Sequence, residues 1–217
     1  MQSEILRRLP HRTDLHLSRK VWHAGMGLLI VGIYALTPIT RFQGVMLLAA
    51  FLGFIVTMEY LRLNNPKINE LTVKLWKPLM RSCEVNKVSG IPYYVGAALL
   101  GVAIFPKPVA ILSLLYLAFG DPTASLFGVL FGDRSIRFAH GKSLIGCLSA
   151  VLVCGVVTIL YGSTLNLNPS SLAILTVVGA FVGGFSELLP LEIDDNFSIP
   201  LVSGIALWLV LILLSLN

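Results

Sequence analysis

Gly120-Asp121-Pro122-Thr123-Ala124-Ser125 stands inside an apolar run that extends from Val109 to Phe131. A run of that length is a candidate membrane span. An ionised carboxylate inside a span costs several kcal/mol unless it is paired, solvated or bound to a cation, which makes Asp121 a functional-site candidate. Pro122 lacks an N–H, and backbone groups freed at depth are tolerated only where they line a cavity. The stretch therefore predicts a helix broken at a polar cavity rather than a plain span.

The rest of the chain keeps this character. Of its 217 residues 56% are hydrophobic and 12% charged, and its mean hydropathy is +0.84. That composition is that of an integral membrane protein. Seven candidate spans cover 23–40, 43–61, 91–106, 108–131, 144–162, 172–189 and 198–216, the third of them short. The predicted fold is all-α and polytopic, with about seven transmembrane helices. Residues 1–22 read as a basic arm, and 23–217 as a single membrane domain with its active site on the cytoplasmic face. Arg7, Arg8, Arg12, Arg19 and Lys20 have no apolar core between them, so no cleavable signal peptide is expected.

Basic residues set the orientation, because short Lys- and Arg-rich loops are retained on the cytoplasmic side. With a cytoplasmic N-terminus, all of the 16 Lys and Arg residues except Arg41 and Lys107 fall on that side. The net charge of +5 then reflects topology and attraction to anionic membrane lipids, not a nucleic-acid partner. The predicted location is the inner or plasma membrane of a bacterium, or the endoplasmic reticulum of a eukaryote. Cys83, Cys147 and Cys154 form no CxxC pair and read as reduced structural thiols. In the segment from Pro66 to Met80, Ile68, Leu71, Leu75, Leu79 and Met80 recur at helical spacing, which predicts an amphipathic helix in the interface plane. It is either a plain linker or a ramp that guides a lipid headgroup to the site. Pro66 suits its first turn, and Pro78 ends or kinks it.

Several polar groups punctuate this apolar background. Arg19, Lys20 and His23 stand at the entry to the first span, as phosphate-holding cations beside an inward imidazole or as stop-transfer charge. Glu59 and Arg62 are three residues apart on one helix face, an arrangement that suits an ion pair. Asp133 and Arg134 open a polar loop that ends in Gly141-Lys142-Ser143, where a helix N-terminus favours an anion. This resembles half of a phosphate loop but is no Walker A motif, because Ile136 stands where that pattern needs glycine. Glu187, Asp194, Asp195 and Asn196 crowd carboxylates and an amide before the last span, a set that suits Mg²⁺ with water and phosphate in its shell.

The motifs together resemble one family. They are Arg19-Lys20-x-x-His23, Glu59-x-x-Arg62, Ser89-Gly90, Ala118-Phe-Gly-Asp121-Pro-x-Ala-Ser125, Gly132, Gly141-Lys142-Ser143-x-x-Gly146 and Glu187-x-x-Pro190-x-x-x-Asp194-Asp195-Asn196 followed by Pro200. In this order they are similar to the CTP-dependent lipid kinases: dolichol kinase, phytol kinase and yeast-type diacylglycerol kinase. The resemblance implies transfer of the γ-phosphate of CTP to a lipid hydroxyl, of diacylglycerol or a polyprenol, with Mg²⁺. Under it Asp194 and Asp195 hold metal, and Asp121 gives a second metal contact or takes the hydroxyl proton. Lys142 and Ser143, with Gly141, hold donor phosphates, while Arg134, Arg19 and Lys20 steer phosphate. Asn196 orients a ligated carboxylate or reads the nucleotide. His23, Glu59, Arg62, Asp133 and Glu187 are further site candidates.

Two alternatives accompany this reading. The Asp121–Gly146 region also resembles the CDP-diacylglycerol synthases, which transfer a cytidylyl group to phosphatidate; their histidine- and arginine-containing motif is absent, and Asp194-Asp195-Asn196-Phe197-Ser198 stands instead. A transporter would use Asp121, Glu59 and Glu187 as an ion path, but transporters are built from repeated halves around a midplane site. Gly179, Gly183 and Gly184 permit close helix packing within a chain or in a homo-oligomer.

Overall fold

The computed structural model describes residues 15–138, 141–189 and 193–215. Among these residues eight helices follow one another: α1 (Leu17–Leu36), α2 (Arg41–Asn64), α3 (Pro66–Trp76), α4 (Gly90–Ile104), α5 (Lys107–Arg134), α6 (Leu144–Gly162), α7 (Pro169–Phe185) and α8 (Asp195–Ser215). Local chemistry sets their starts. Thr40 accepts from the Gln43 N–H while the Gln43 side chain accepts from the Thr40 N–H, a reciprocal cap on α2. Asn65, Ser89, Ser143 and Asn168 cap α3, α4, α6 and α7 through their side chains. Pro66 and Pro169 occupy first turns, where no N–H is needed.

α5 is the central post. Val109 to Leu114 and Tyr116 to Ala118 are buried along it, and it packs against α1, α4, α6, α7 and α8. α6 and α7 approach closely because Gly184 has no side chain: a Cβ there would lie 2.3 Å from Val151 Cγ2 and 2.7 Å from the Val151 backbone nitrogen. By contrast, only Gly44 and Arg62 of α2 are buried, so an apolar helix faces outward along nearly its whole length. Arg41 donates to the Phe105 carbonyl at 3.0 Å, and Lys107 lies 5.1 Å above the Tyr34 ring. These contacts gather the two outlying cations at one end of the bundle. At the other end lie the starts of α1, α4, α6 and α8.

Among the described residues five helices are long and apolar enough to cross a membrane: Arg41–Asn64, Lys107–Arg134, Leu144–Gly162, Pro169–Leu188 and Asp195–Leu214. The other two of the seven expected spans correspond to the helices Leu17–Leu36 and Gly90–Ile104. The helix Gly90–Ile104 is apolar but short, because Phe105-Pro106 stops it. The first helix begins at Leu17, six residues before the expected span, and therefore carries Arg19 and Lys20 in its first turn. Residues 1–14 of the expected arm, with Pro190 and Glu192, lie outside the described residues. The amphipathic helix is present as α3. Val73 turns inward with Met80, while Leu71, Leu75 and Trp76 are exposed.

Candidate functional site

The Gly120-Asp121-Pro122 stretch does not break its helix, contrary to the sequence-based expectation. α5 is α-helical over Lys107–Leu115, widens into a π turn over Tyr116–Gly120, and resumes as α-helix over Asp121–Phe131. A π turn bonds each N–H to the carbonyl five residues back and so inserts one residue into the helix. Pro122 stands in the first turn of the resumed α-helix. The π register leaves the Leu117 carbonyl facing residue 122, which has no N–H. His23 Nε2, from α1, lies 3.0 Å from that carbonyl oxygen. A carbonyl can only accept, so Nε2 is the donor and carries the proton. The same nitrogen is 3.7 Å from Asp121 Oδ2.

Asp121 borders a small polar cleft lined by His16, Arg19, Lys20, His23, Arg81, Asp121, Pro122 and Ser125. Arg19 is already matched within the protein. It donates to both oxygens of Glu84, at 2.7 and 2.8 Å, and to the Leu79 carbonyl at 2.9 Å. Burial works against the Glu84 carboxylate, yet the bonds and charge of Arg19 and the Arg81 N–H hold its pKa below the ordinary value. Lys20 bends back to donate to the Leu15 carbonyl at 2.7 Å.

Next to Asp121 the starts of α6 and α8 meet. Gly141, with a left-handed φ of 79°, leads into Lys142 and Ser143. Ser143 pairs with Arg137 in a short antiparallel bridge and caps α6 by accepting from the Gly146 N–H at 3.1 Å. Lys142 Nζ donates to Asp195 Oδ1 at 2.9 Å and to the Glu187 carbonyl. Asp194 accepts from the Asn196 N–H at 3.0 Å, which starts α8. Asn196 Nδ2 reaches across to the Gly90 carbonyl at 3.3 Å. Burial pushes the Asp194 carboxyl above its usual range against the pull of that Asn196 N–H. The charges of Asp195 and Asp121 push it the same way.

The remaining candidates stand apart from this group. Arg62 is 2% exposed. It pairs with Glu59 through two bonds of 2.9 and 2.7 Å and donates to the carbonyls of Glu84, Val85 and Lys87. Glu59 in turn accepts from the Ser89 N–H and hydroxyl. The pair thus fastens the loop between α3 and α4 to the end of α2. Asp133 and Arg134 are exposed, and Asp133 pairs with Arg137 at 2.5 Å. Ser125, from the Asp121 motif, lines the cleft together with Arg81 and His16, which belong to no motif. Arg81 follows the amphipathic helix, where no motif marks it.

Among the described residues no three His, Cys, Asp or Glu side chains form a ready metal cage. The donors nonetheless suit Mg²⁺, which binds through one or two carboxylates and completes its shell with water and substrate phosphate.

No protein-family model matches the chain, and no solved structure matches it. Among characterised proteins it is 34% identical over 172 residues to CTP-dependent diacylglycerol kinase 1 of Schizosaccharomyces pombe, covering 74% of this chain and 78% of that protein. It is 31% identical over 212 residues to CTP-dependent diacylglycerol kinase 1 of Eremothecium gossypii, covering 89% of this chain and 66% of that protein. Phytol kinase 1 of Arabidopsis thaliana is 29% identical over 208 residues, 89% of this chain and 66% of that protein. With 34% identity to a kinase over 172 aligned residues and 78% of that kinase's length, the chain belongs to the family of the CTP-dependent diacylglycerol kinases and phytol kinases.

Proposed function

We propose that this protein transfers the γ-phosphate of CTP to the hydroxyl of a membrane lipid alcohol of the diacylglycerol or polyprenol type, with Mg²⁺ as cofactor. One observation carries the reading: Asp121, on the central helix, lines a cleft with Arg19, Lys20 and Arg81, and its charge acts on the half-buried Asp194 carboxyl. Phosphoryl transfer needs mainly positioning and charge neutralisation. Both are at hand there in a chain of lipid-kinase ancestry.

In this reading the lipid hydroxyl approaches along α5 and Asp121 takes its proton as the oxygen bonds to the γ-phosphorus. The bond from that phosphorus to the β–γ bridging oxygen breaks, and CDP leaves. Lys142, Gly141 and Ser143 hold donor phosphates at the α6 N-terminus, where partial positive charge accumulates. Lys142 exchanges Asp195 for phosphate when the donor arrives. Lys20 and Arg81 offset the phosphate charge from the cleft side, while Arg19, matched by Glu84, shapes the wall. Mg²⁺, held by Asp194 and Asp195, would supply neutralisation of the β- and γ-phosphate charge. Asn196 keeps Asp194 and α8 in register with α4. The site faces the cytoplasm, the side on which most basic residues are retained.

The transporter alternative loses support here, because Glu59 is matched by Arg62 and Ser89. The test is to incubate purified protein with Mg²⁺, γ-labelled CTP and a panel of diacylglycerol, polyprenol and phytol. Label in one lipid names the acceptor. Label in none of them rejects the proposal.

A further inference from the structure

We infer that His23 is a positioning residue: its Nε2–H replaces the backbone donor that Pro122 removes, and thereby holds the π turn that aims Asp121 into the cleft. The inference rests on the lipid-kinase reading for its activity readout and on geometry for its argument. In the π register the Leu117 carbonyl would bond the N–H of residue 122, and Pro122 has none. A carbonyl stranded in a buried helix is destabilising if nothing replaces its donor. Leu117 is fully buried, and the replacement is His23 Nε2 at 3.0 Å.

Tyr94 holds His23 at both its ring and its backbone. It packs edge-on against the imidazole, with ring centroids 4.7 Å apart. The Tyr94 hydroxyl donates to the His23 carbonyl at 3.3 Å. One turn further along α1, Gly27 brings the backbone so close to the π turn that a Cβ would lie 2.4 Å from that of Ala118. α1 is thus seated on the π turn at two successive turns. Arg19 and Lys20 lie one turn before His23 on α1, so the same bond sets their height against Asp121. Pro122, the π turn and His23 form one device, and its output is the direction of the Asp121 carboxylate.

The device predicts coupling that an acid–base histidine would not give. His23→Ala should lower kcat at least tenfold while the KM for CTP stays within threefold. His23→Gln, whose amide nitrogen can take the Nε2 position, should stay within threefold of wild type. In a Pro122→Ala background, where residue 122 regains its N–H, His23→Ala should cost less than threefold. A glutamine variant as impaired as the alanine variant, an effect on KM alone, or fully additive losses in the double variant would each overturn the inference. Hydrogen exchange at residues 117–121 separates this from failure of the kinase reading. Faster exchange in His23→Ala with recovery in His23→Gln supports the device even if no lipid is phosphorylated, and unchanged exchange refutes it.

Discussion

Replacing Arg62 with methionine removes a buried guanidinium while keeping most of its volume. The loss is large because the fork serves many acceptors: both Glu59 oxygens, Asn69 Oδ1, and the carbonyls of Glu84, Val85 and Lys87. Glu59 would keep only the Ser89 donors, and three backbone carbonyls would lose a charged partner. Breaking one side of a buried pair costs about 3–5 kcal/mol, mostly as the penalty of the stranded charge. For a chain of this size each kcal/mol corresponds to about 2–4 °C in melting temperature, so the midpoint should fall by about 6–20 °C. Arg62→Lys, which retains the charge but not the fork, should lose less. The assay is thermal unfolding in detergent, paired with CTP transfer per folded molecule well below both midpoints. A variant that melts within about 2 °C of wild type refutes the structural reasoning. One that keeps its melting point but loses transfer would make Arg62 a site residue.

Asp121→Asn should abolish transfer while leaving the melting temperature near that of wild type, because the amide neither accepts the hydroxyl proton nor offers full charge to a cation; retained turnover in folded protein removes Asp121 from the chemistry. Gly184→Ala should lower the melting temperature, since its Cβ meets Val151 backbone atoms at 2.7 and 2.9 Å and α7 must move away from α6; an unchanged midpoint contradicts that contact. The pH dependence of Glu84→Gln has a defined sign. The Glu84 carboxyl binds its proton less tightly in the folded protein than its ordinary pKa of 4.5. Its stabilisation is therefore complete above about pH 4.5 and is lost as the pH falls through the lower folded value. Unfolding at pH 7 should separate wild type from the variant, and the gap should close on acidification; a gap that widens at low pH contradicts the Arg19–Glu84 pairing.

Much of this architecture is legible in the sequence because it rests on local chemistry. Apolar runs locate the helices, and Ser143 and Pro66 mark starts that the structure contains. The spacing of Ile68, Leu71 and Leu75 marks α3, and the Glu59–Arg62 spacing marks a pair on one face. What the sequence conceals depends on contacts between distant segments. Pro122 in an apolar run reads as a break, because no periodicity announces a π turn and nothing near it reveals that His23, 94 residues earlier than Leu117, will supply the missing donor. The Arg19–Glu84 pair spans 65 residues, so Arg19 reads as an unmatched cation until the fold closes. Arg81 is hidden for the same reason. It becomes part of the cleft only when the loop after α3 folds against the start of α1.

The central claim is tested most directly by position-labelled donor. Purified protein with Mg²⁺ and diacylglycerol or a polyprenol should take label from γ-labelled CTP into the lipid, take none from α-labelled CTP, and use ATP poorly. Label passing instead from the α position to phosphatidate, or from neither position to any lipid, would contradict the assignment as a CTP-dependent lipid kinase.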